Sequence, residues 1–464
     1  MTLIEVLVKV SKKQLQLGFL YPLDSVRNLC KNKVSFYICI DFSFGGLHMY
    51  IPRTIEKTVR NISATYPVLL ITGPRQVGKT TLLRHLAEED RKYVSLDDPK
   101  NRNLAISDPA LFFQRFSPPI IIDEIQYAPE LLPYIKMYAD ENKRNGDFWL
   151  TGSQMFHMMR NISESLAGRA GVMNLFGLSN NELQNNHFGC FTTDSNELLK
   201  RLSVAKKMDL MEIFNILFRG SFPRLYEDPE VLRDTYYDSY IRTYLERDIR
   251  DLTQVADEGA FYKFLCIVAA RTATTVNYKA MASECGITAP TAKQWLSLLV
   301  TSGLVILIEP YFNNLLKRVI KSPRMYFVDT GLCTYLTKWN SVEALEAGAM
   351  SGKFFETWVV SEIYKSFINN GKRPPLYYYR DSNKKEIDLI IDVNNTLYPI
   401  EIKKSSSPSK ATKNFNALDP VAIESVGEEE KHLKSNIGTG AVVCLCSDLL
   451  PINKNNWYVP AWLI

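Results

Sequence analysis

Short apolar runs alternate with longer amphipathic stretches between residues 66 and 180. The apolar runs predict strands at 68–72, 93–96, 120–123, 148–152 and 172–176. Because helical segments separate these strands, they are expected to form a parallel sheet covered by helices. Three consecutive isoleucines at 120–122 suit a central strand that is buried on both faces. We therefore predict an α/β domain over residues 49–180.

The pattern of apolar positions changes after residue 180. Residues 181–254 are expected to form a helical linker or lid, with the polar stretch 181–208 looping out. Residues 255–340 contain three helical segments and then two strands that are expected to pair, an order typical of a winged-helix domain. These segments are 261–271, 278–285 and 288–302 for the helices, and 304–312 and 324–328 for the strands. Residues 341–464 begin with a helical segment and continue with apolar strands, which predicts a second α/β domain.

Length and composition narrow the class of protein. The chain has 464 residues, enough for two to four domains, and its 46% hydrophobic and 23% charged residues are typical of a soluble globular protein. No apolar run reaches the roughly 18 residues of a membrane span, and Glu5 interrupts the apolar start, so neither a membrane partner nor a signal peptide is expected. The eight cysteines include no C-x-x-C pair, which favours free thiols and a cytoplasmic location. Residues 1–48 carry no motif, and we expect a weakly packed extension or a translation start at Met49.

The first strand leads into Gly73-Pro-Arg-Gln-Val-Gly-Lys-Thr80, which has the G-x-x-x-x-G-K-T spacing of a phosphate-binding loop. Glycine allows the backbone to turn tightly and to approach a phosphate closely. Successive N–H groups and the N-terminus of the following helix attract the anion. Lys79 is expected to reach the β- and γ-phosphates, and the Thr80 hydroxyl to ligate Mg²⁺. The predicted nucleotide-binding residues are Gly73, Pro74, Arg75, Gln76, Val77, Gly78, Lys79, Thr80 and Thr81.

Further catalytic groups are expected at the same edge of the sheet. Asp123 ends the third strand and is expected to hold Mg²⁺ with Thr80, while Glu124 polarises the attacking water. Ser153 follows the fourth strand and is a candidate γ-phosphate sensor or an ordinary turn residue. Arg169 is a candidate arginine finger, in cis or towards a neighbouring subunit, or a solvated surface arginine. The guanine-reading N-K-x-D motif is absent, so we favour ATP over GTP.

The predicted winged helix raises the question of a nucleic-acid partner. Its third helix would present Thr291, Lys293 and Gln294. Further basic residues at or between the two strands are Lys317, Arg318, Lys321 and Arg324. Many such modules instead pack between domains or bind proteins, and a net charge of +5 permits DNA without demanding it. The pattern is compatible with both interpretations.

Residues 341–464 contain a second set of charged positions within apolar segments. Asp388 and the Glu401-x-Lys403 pair lie on consecutive predicted strands, and period-two spacing puts Glu401 and Lys403 on one face. Two carboxylates can hold Mg²⁺ against a phosphodiester with a lysine beside the attacking water, and Glu356 from the preceding helix would complete the site. The alternatives are an active or vestigial nuclease-like site, or a surface hairpin with exposed charges.

Taken together, these motifs resemble those of a prokaryotic family of AAA-type P-loop ATPases with a carboxyl-terminal domain of unknown function. The resemblance covers about residues 49–464 and rests on short segments. They are the loop at 73–80, Ile-Ile-Ile-Asp-Glu at 120–124, Leu-Thr-Gly-Ser-Gln at 150–154, Leu-Ala-Gly-Arg at 166–169, Thr-Tyr-Leu-Glu-Arg-Asp-Ile at 243–249, and Glu-Ile-Asp with Ile-Glu-Ile-Lys near the end. It implies ATP binding, hydrolysis, a winged helix and a restriction-endonuclease-like end domain.

The leading hypothesis is an ATP- and Mg²⁺-dependent switch in which the state of the γ-phosphate changes how the later domains pack. The alternatives are an ATP-regulated DNA nuclease and a non-enzymatic DNA-binding regulator. A partner protein or a second copy of the chain is also compatible with the pattern.

Overall fold

The computed structural model describes residues 50–152, 165–244, 258–311, 322–381, 385–418 and 436–464, and its compact unit spans Ile51–Ile464. The predictions for residues 1–48, for Ser153, and for Lys317, Arg318 and Lys321 lie outside the described residues. The described helices are α1 (Glu56–Thr65), α2 (Lys79–Leu86), α3 (Pro99–Ser107), α4 (Pro109–Arg115), α5 (Leu131–Asn142), α6 (Asn180–Leu183), α7 (Ser195–Val204), α8 (Leu210–Arg219), α9 (Arg224–Glu227), α10 (Arg233–Tyr244), α11 (Glu258–Ala270), α12 (Tyr278–Cys285), α13 (Ala289–Thr301), α14 (Thr330–Leu336), α15 (Val342–Ala347) and α16 (Ser351–Asn369).

The described strands belong to two sheets. The first contains β1 (Val68–Thr72), β2 (Lys92–Ser95), β3 (Ile120–Asp123), β4 (Phe148–Gly152) and β5 (Ala170–Asn174). The second contains β6 (Thr274–Thr275), β7 (Val305–Pro310), β8 (Arg324–Phe327), β9 (Leu376–Arg380), β10 (Glu386–Val393), β11 (Thr396–Lys403), β12 (Asn436–Ile437), β13 (Gly440–Cys444), β14 (Leu450–Asn453) and β15 (Asn456–Pro460).

The first sheet is parallel throughout, with the order β2-β3-β4-β1-β5. Every residue of β1, β3 and β4 is buried, as expected for strands covered on both faces. β5 begins at Ala170, two residues before its predicted start, because Ala170 pairs with Val68 at the beginning of β1. The sheet therefore brings the carboxyl ends of β1, β3 and β4 to a common edge.

The second sheet is mixed and runs in the order β14-β15-β13-β11-β10-β9-β7-β8-β6, with β12 beside β11. β7 and β8 pair in antiparallel register, as the apolar pattern of residues 304–328 predicts. β7 also pairs in parallel with β9 through Glu309 and Pro310, opposite Tyr377 and Tyr378. The sheet consequently continues across the boundary predicted at residues 340 and 341.

The expectation that residues 181–208 loop out is wrong, because the structure forms α6 and α7 there and buries several of their polar side chains. Ser179 and Glu182 form a reciprocal capping box at the start of α6, and the Asp194 carboxylate caps α7. The Arg201 guanidinium is buried and donates to three backbone carbonyls, those of Gly189, Cys190 and Leu463. Polar composition misled the prediction, since these groups satisfy one another inside the fold.

Two further expectations concern membrane spans and cysteines. Within the described ranges, no helix combines the length and the apolarity that crossing a membrane requires. Cys444, at the end of β13, and the nearby Cys446 are buried free thiols. This agrees with the expectation of free thiols.

Candidate nucleotide site and a second carboxylate cluster

The loop between β1 and α2 has the geometry that phosphate binding requires. Gly73 has a φ of +136°, and a Cβ added to it would lie 2.0 Å from the carbonyl oxygen of Leu175, so only glycine fits. Gly78 has a φ of +90° and immediately precedes α2. The Lys79 side chain is buried and donates from Nζ to the carbonyl oxygens of Gly73, at 3.0 Å, and Pro74, at 2.8 Å. The ammonium group therefore lies within the curve of the loop.

Asp123 lies directly beside this loop because β3 and β1 end at the same edge of the sheet. The Thr80 hydroxyl donates to Asp123 Oδ1 at 2.8 Å, and Thr151 donates to the same oxygen. The Tyr93 hydroxyl donates to Asp123 Oδ2 at 3.0 Å. Partial burial, followed by the charge of Asp123, raises the pKa of Tyr93 to about 12, so the phenol keeps its proton.

Glu124 occupies a left-handed backbone position, with φ 59° and ψ 49°, at the turn after β3. Its N–H donates to Thr151 Oγ1 at 3.1 Å, and the Gln126 amide donates to its carboxylate. Gln126 thus orients the side chain of Glu124, which directly follows Asp123 in the sequence. A group that positions water must be held in this way.

These groups fit a nucleotide with Mg²⁺. The magnesium ion prefers oxygen ligands, and the Thr80 hydroxyl and the Asp123 carboxylate are already adjacent. The N-terminus of α2, directly after Gly78, suits an anion held by backbone N–H groups. Thr80 and Asp123 would hold the metal, and Lys79 would contact the phosphates.

Sequence reasoning missed several partners of this site. Tyr93 and Thr151 hold Asp123, and the signal for Thr151 was its position at the end of a buried strand beside the acidic one. Arg53 lies behind the loop and donates to the carbonyl oxygens of Val77, at 3.0 Å, and Phe176, at 2.7 Å. Its guanidinium is also 3.2 Å from Glu182 Oε1, and both side chains are at most 4% exposed. No local sequence pattern predicts this role of Arg53, because the partners of its guanidinium lie 24 or more residues away.

The structure does not bring Arg169 to the phosphate loop, which is a correction to its candidacy as an arginine finger in cis. The Arg169 carbonyl accepts from Val68 N at the start of β1, whereas the loop follows the end of that strand, roughly 16 Å away at 3.3 Å per residue. Its guanidinium forms an exposed ion pair with Asp140, with Nη2 3.0 Å from Oδ2. This placement favours the surface-arginine interpretation within one chain.

The second candidate set is assembled in the carboxyl-terminal part. Lys403 Nζ is 2.6 Å from Glu401 Oε1 and 3.5 Å from Asp388 Oδ2, and Asp388 also accepts from the N–H of Ile402 at 3.0 Å. These contacts follow from the antiparallel pairing of β10 with β11. Glu356, on α16, also lies close enough to Asp388 for the two charges to interact.

We call Glu356, Asp388 and Glu401 the carboxylate cluster. An arginine also enters this cluster, and sequence reasoning missed its place there. Arg324, on β8, has Nη1 3.6 Å from Glu356 Oε1 and 3.7 Å from Asp388 Oδ1, and its other nitrogen contacts Glu386. The Tyr326 hydroxyl donates to Glu356 at 2.9 Å. The sequence pattern indicates Arg324 only as a basic residue at or between the two predicted strands.

Burial sets the protonation of the cluster. It raises the pKa of Glu356 to about 7 and that of Glu401 to about 7, with the charge of Asp388 as the next cause in both cases. Lys403 has its pKa raised, because the attraction of Asp388 and Glu401 outweighs the effect of its burial. Where side chains are described, no group of three acidic, histidine or cysteine residues is arranged to hold a metal ion. The cluster as it stands therefore does not fit Mg²⁺.

The parallel sheet, its glycine loop and the adjacent Thr80–Asp123 pair define the class of P-loop ATPases. Within the chain, residues 65–184 match the family described as an AAA domain, so this part is an AAA-type P-loop ATPase domain. Residues 211–343 match a domain of unknown function (DUF8612), and residues 351–464 match another (DUF4143). The DUF8612 match at residues 211–343 crosses the boundary that the sequence prediction placed between residues 254 and 255.

Relatives and solved structures resemble the chain over a larger part of its length. Uncharacterized proteins of Mycobacterium bovis and Mycobacterium tuberculosis are each 29% identical over 372 residues, covering 79% of this chain and 77% of theirs. A Walker-type ATPase of Pyrococcus abyssi is 15% identical, with a TM-score of 0.39, covering 61% of this chain and 94% of its own. AMPPCP-bound DnaA from Aquifex aeolicus is 12% identical, with a TM-score of 0.24, over 53% and 85% of the two chains.

Proposed function

We propose that the protein binds ATP with Mg²⁺, hydrolyses it, and uses the cycle as a conformational switch. The observation that carries this proposal is the 2.8 Å hydrogen bond from Thr80 to Asp123 beside the glycine loop. A hydroxyl and a carboxylate in this relation, next to a buried lysine, are the parts from which P-loop enzymes build a metal–phosphate site.

In this proposal each residue has a defined task. The loop N–H groups and Lys79 bind the phosphates, and Thr80 and Asp123 orient the metal, which when bound neutralises charge on the β- and γ-phosphate oxygens. Glu124, oriented by Gln126, accepts a hydrogen bond from the attacking water and aligns it with the γ-phosphate. Tyr93 and Thr151 keep Asp123 in position.

A switch also needs a contact that differs between nucleotide states. The phosphate loop offers one, because Pro74 packs closely against Gly303, at the start of the turn into β7. A Cβ added to Gly303 would lie 3.0 Å from Pro74 Cδ. A shift of the loop by about a few tenths of an ångström would therefore displace the segment that carries β7 and β8.

The test is nucleotide binding and hydrolysis by Lys79→Ala. We expect binding of a fluorescent ATP analogue to weaken at least 100-fold and hydrolysis to fall to background, since a charged group inside the loop is lost. Lys200→Ala is the matched control, because Lys200 lies on α7 with its side chain 77% exposed. Retention of micromolar ATP affinity by Lys79→Ala would refute the assignment. Running the ATPase assay with and without DNA also tests the alternatives.

A nuclease-like activity remains the second candidate, since Glu356, Asp388, Glu401 and Lys403 converge although they come from a helix and two strands. A restriction-endonuclease-like end domain would use such a set to hold a divalent metal ion against a phosphodiester. The ion pairs of Arg324 oppose this use. Metal binding therefore decides this candidate.

A DNA-binding regulator is supported by a different observation. α11, α12 and α13, with the antiparallel strands β6, β8 and β7, have the element order of a winged helix. The start of α13 borders a groove of about 810 Å³ to which Lys279 and Lys293 contribute. We propose that this groove contacts DNA phosphates, and a change in ATPase rate on adding DNA is the expected sign.

A further inference from the structure

The carboxylate cluster carries more negative charge than its neighbours neutralise. Glu356, Asp388, Glu401 and the adjoining Glu386 face the cations of Arg324 and Lys403. The charge of Lys353 also acts on Glu356, so four carboxylates against three cations leave an excess of one negative charge when all the groups are ionised. Such an excess in a largely buried site requires protons or a further cation.

Arg324 holds the central position among these acids. Its side chain is 7% exposed, and its guanidinium spans Glu356, Asp388 and Glu386. The same guanidinium lies 4.8 Å from the ring centroid of Tyr378 on β9. Contacts with an acid on α16, two acids on β10 and a ring on β9 leave the arginine little freedom to turn away.

One oxygen of the cluster lacks a partner in the part of the chain that the structure describes. Glu401 is 6% exposed, and its Oε2 accepts no hydrogen bond from any described residue, whereas its Oε1 pairs with Lys403. A buried carboxylate oxygen without a donor costs free energy, which ligation of a cation would recover. A bound cation would ligate the orphaned oxygen and would replace protons in relieving the excess charge.

We propose that Arg324 is a built-in competitor of a divalent cation at Glu356, Asp388 and Glu401. While its guanidinium pairs with Glu356 and Asp388, these two oxygens are not free to converge on an ion. Removing the arginine leaves Lys403 as the described cation within ion-pair distance of Asp388 and Glu401, and a divalent ion then restores the lost charge. Because Arg324 belongs to β8, the segment that follows the ATPase domain controls access to the cluster. This inference is independent of ATP hydrolysis.

The test is a Mn²⁺ titration of the nucleotide-free full-length protein, followed by the electron paramagnetic resonance of free Mn²⁺. We expect Arg324→Met to gain a site that binds Mn²⁺ at least ten-fold more tightly than the wild type. The double variant Arg324→Met with Asp388→Asn should lose this gain, which separates the cluster from any Mn²⁺ held at Thr80. Arg271→Met is the matched control, since Arg271 forms an exposed pair with Glu284. A wild type that already binds equally tightly through Asp388, or an Arg324→Met protein without gain, would overturn the proposal.

Glu386→Gln provides a second variant in case Arg324→Met does not fold. It removes a carboxylate that contacts Arg324 and leaves the three proposed ligands intact. We expect a smaller gain in Mn²⁺ affinity, about two- to five-fold, because the arginine is then less firmly held. If Glu386→Gln folds, as judged by circular dichroism, and Mn²⁺ binding is unchanged or weaker, the proposal is wrong.

Discussion

Arg53 forms a buried ion pair with Glu182 behind the phosphate loop, and we predict that removing Arg53 destabilises the protein. Its guanidinium donates to Val77 O at 3.0 Å and Phe176 O at 2.7 Å, and is 3.2 Å from Glu182 Oε1. Removing one member of a buried pair typically costs about 3–5 kcal/mol, because the other charge is left without its partner. Arg53→Met should therefore lower the free energy of unfolding by about that amount at neutral pH.

The loss should be partly reversed by changing the second member of the pair. Glu182 also accepts from Thr54 N and Ser179 N, both at 2.8 Å, and a glutamine at this position retains an acceptor without the charge. The double variant Arg53→Met with Glu182→Gln should thus recover about 1–3 kcal/mol, the range of coupling expected for residues in contact.

Calorimetry of thermal unfolding measures both effects. For the compact unit Ile51–Ile464, with an unfolding entropy of about 2.1 cal/mol/K per residue, a loss of about 3–5 kcal/mol corresponds to a fall of about 3–6 °C in the transition. Arg60→Met is the matched control, since Arg60 lies on the exposed side of α1. If Arg53→Met shifts the transition no more than Arg60→Met, or if the double variant is destabilised by the sum of the single losses, the buried pair does not support the loop.

The ATPase kinetics of the folded Arg53→Met fraction add a second readout. The carbonyl of Val77 loses a donor, so we expect KM for ATP to rise about five- to ten-fold with a smaller change in kcat. A role limited to global stability would reduce the amount of active protein and leave KM unchanged.

Two further predictions concern the cluster and the loop. The pKa of Glu356 is raised from 4.5 to about 7, so its folded form favours the proton, and this contribution to stability is complete below pH 4.5 and lost as the pH rises through 7. Glu356→Gln should flatten that decline in urea unfolding measured from pH 4.5 to 8, and an unchanged slope would contradict the burial argument. Gly73→Ala should abolish ATP binding, because its Cβ would lie 2.0 Å from Leu175 O; wild-type affinity measured by isothermal titration calorimetry would show that the loop geometry is misassigned.

The sequence predicted the parts of the fold that depend on local patterns. The glycine loop, the buried strand before it and the acid at the end of β3 are encoded in spacing and periodicity, and the structure brings Thr80 within 2.8 Å of Asp123. The face shared by Glu401 and Lys403 followed from the period of a strand. Helices α6 and α7 have capping residues, Ser179 and Asp194, that are typical of helix starts. The polar composition of residues 181–208 nevertheless led to the prediction of a loop.

Single long-range contacts had no such signal. Arg324 reaches Glu356 and Asp388, 32 and 64 positions further along the chain, through the pairing of β7 with β9. Arg53 reaches Phe176 at a separation of 123 residues. Most arginines lie at the surface and few form buried pairs, so only the tertiary arrangement distinguishes these two from Arg169.

Helix α16 connects the two sites physically. Its 19 residues correspond to a rod of about 28 Å at 1.5 Å per residue. Near its carboxyl end, the Asn369 carbonyl accepts from Thr58 on α1, and Tyr364 packs edge-to-face on Phe176, whose carbonyl oxygen Arg53 binds. Nearer its start, Glu356 pairs with Arg324. A packed helix moves as a unit, so any displacement of the phosphate loop that reaches α1 or Phe176 also changes the position of Glu356 relative to β8. If the nucleotide and the carboxylate cluster are coupled, Arg53→Met should therefore alter Mn²⁺ uptake by Arg324→Met protein, whereas two independent sites would leave it unchanged.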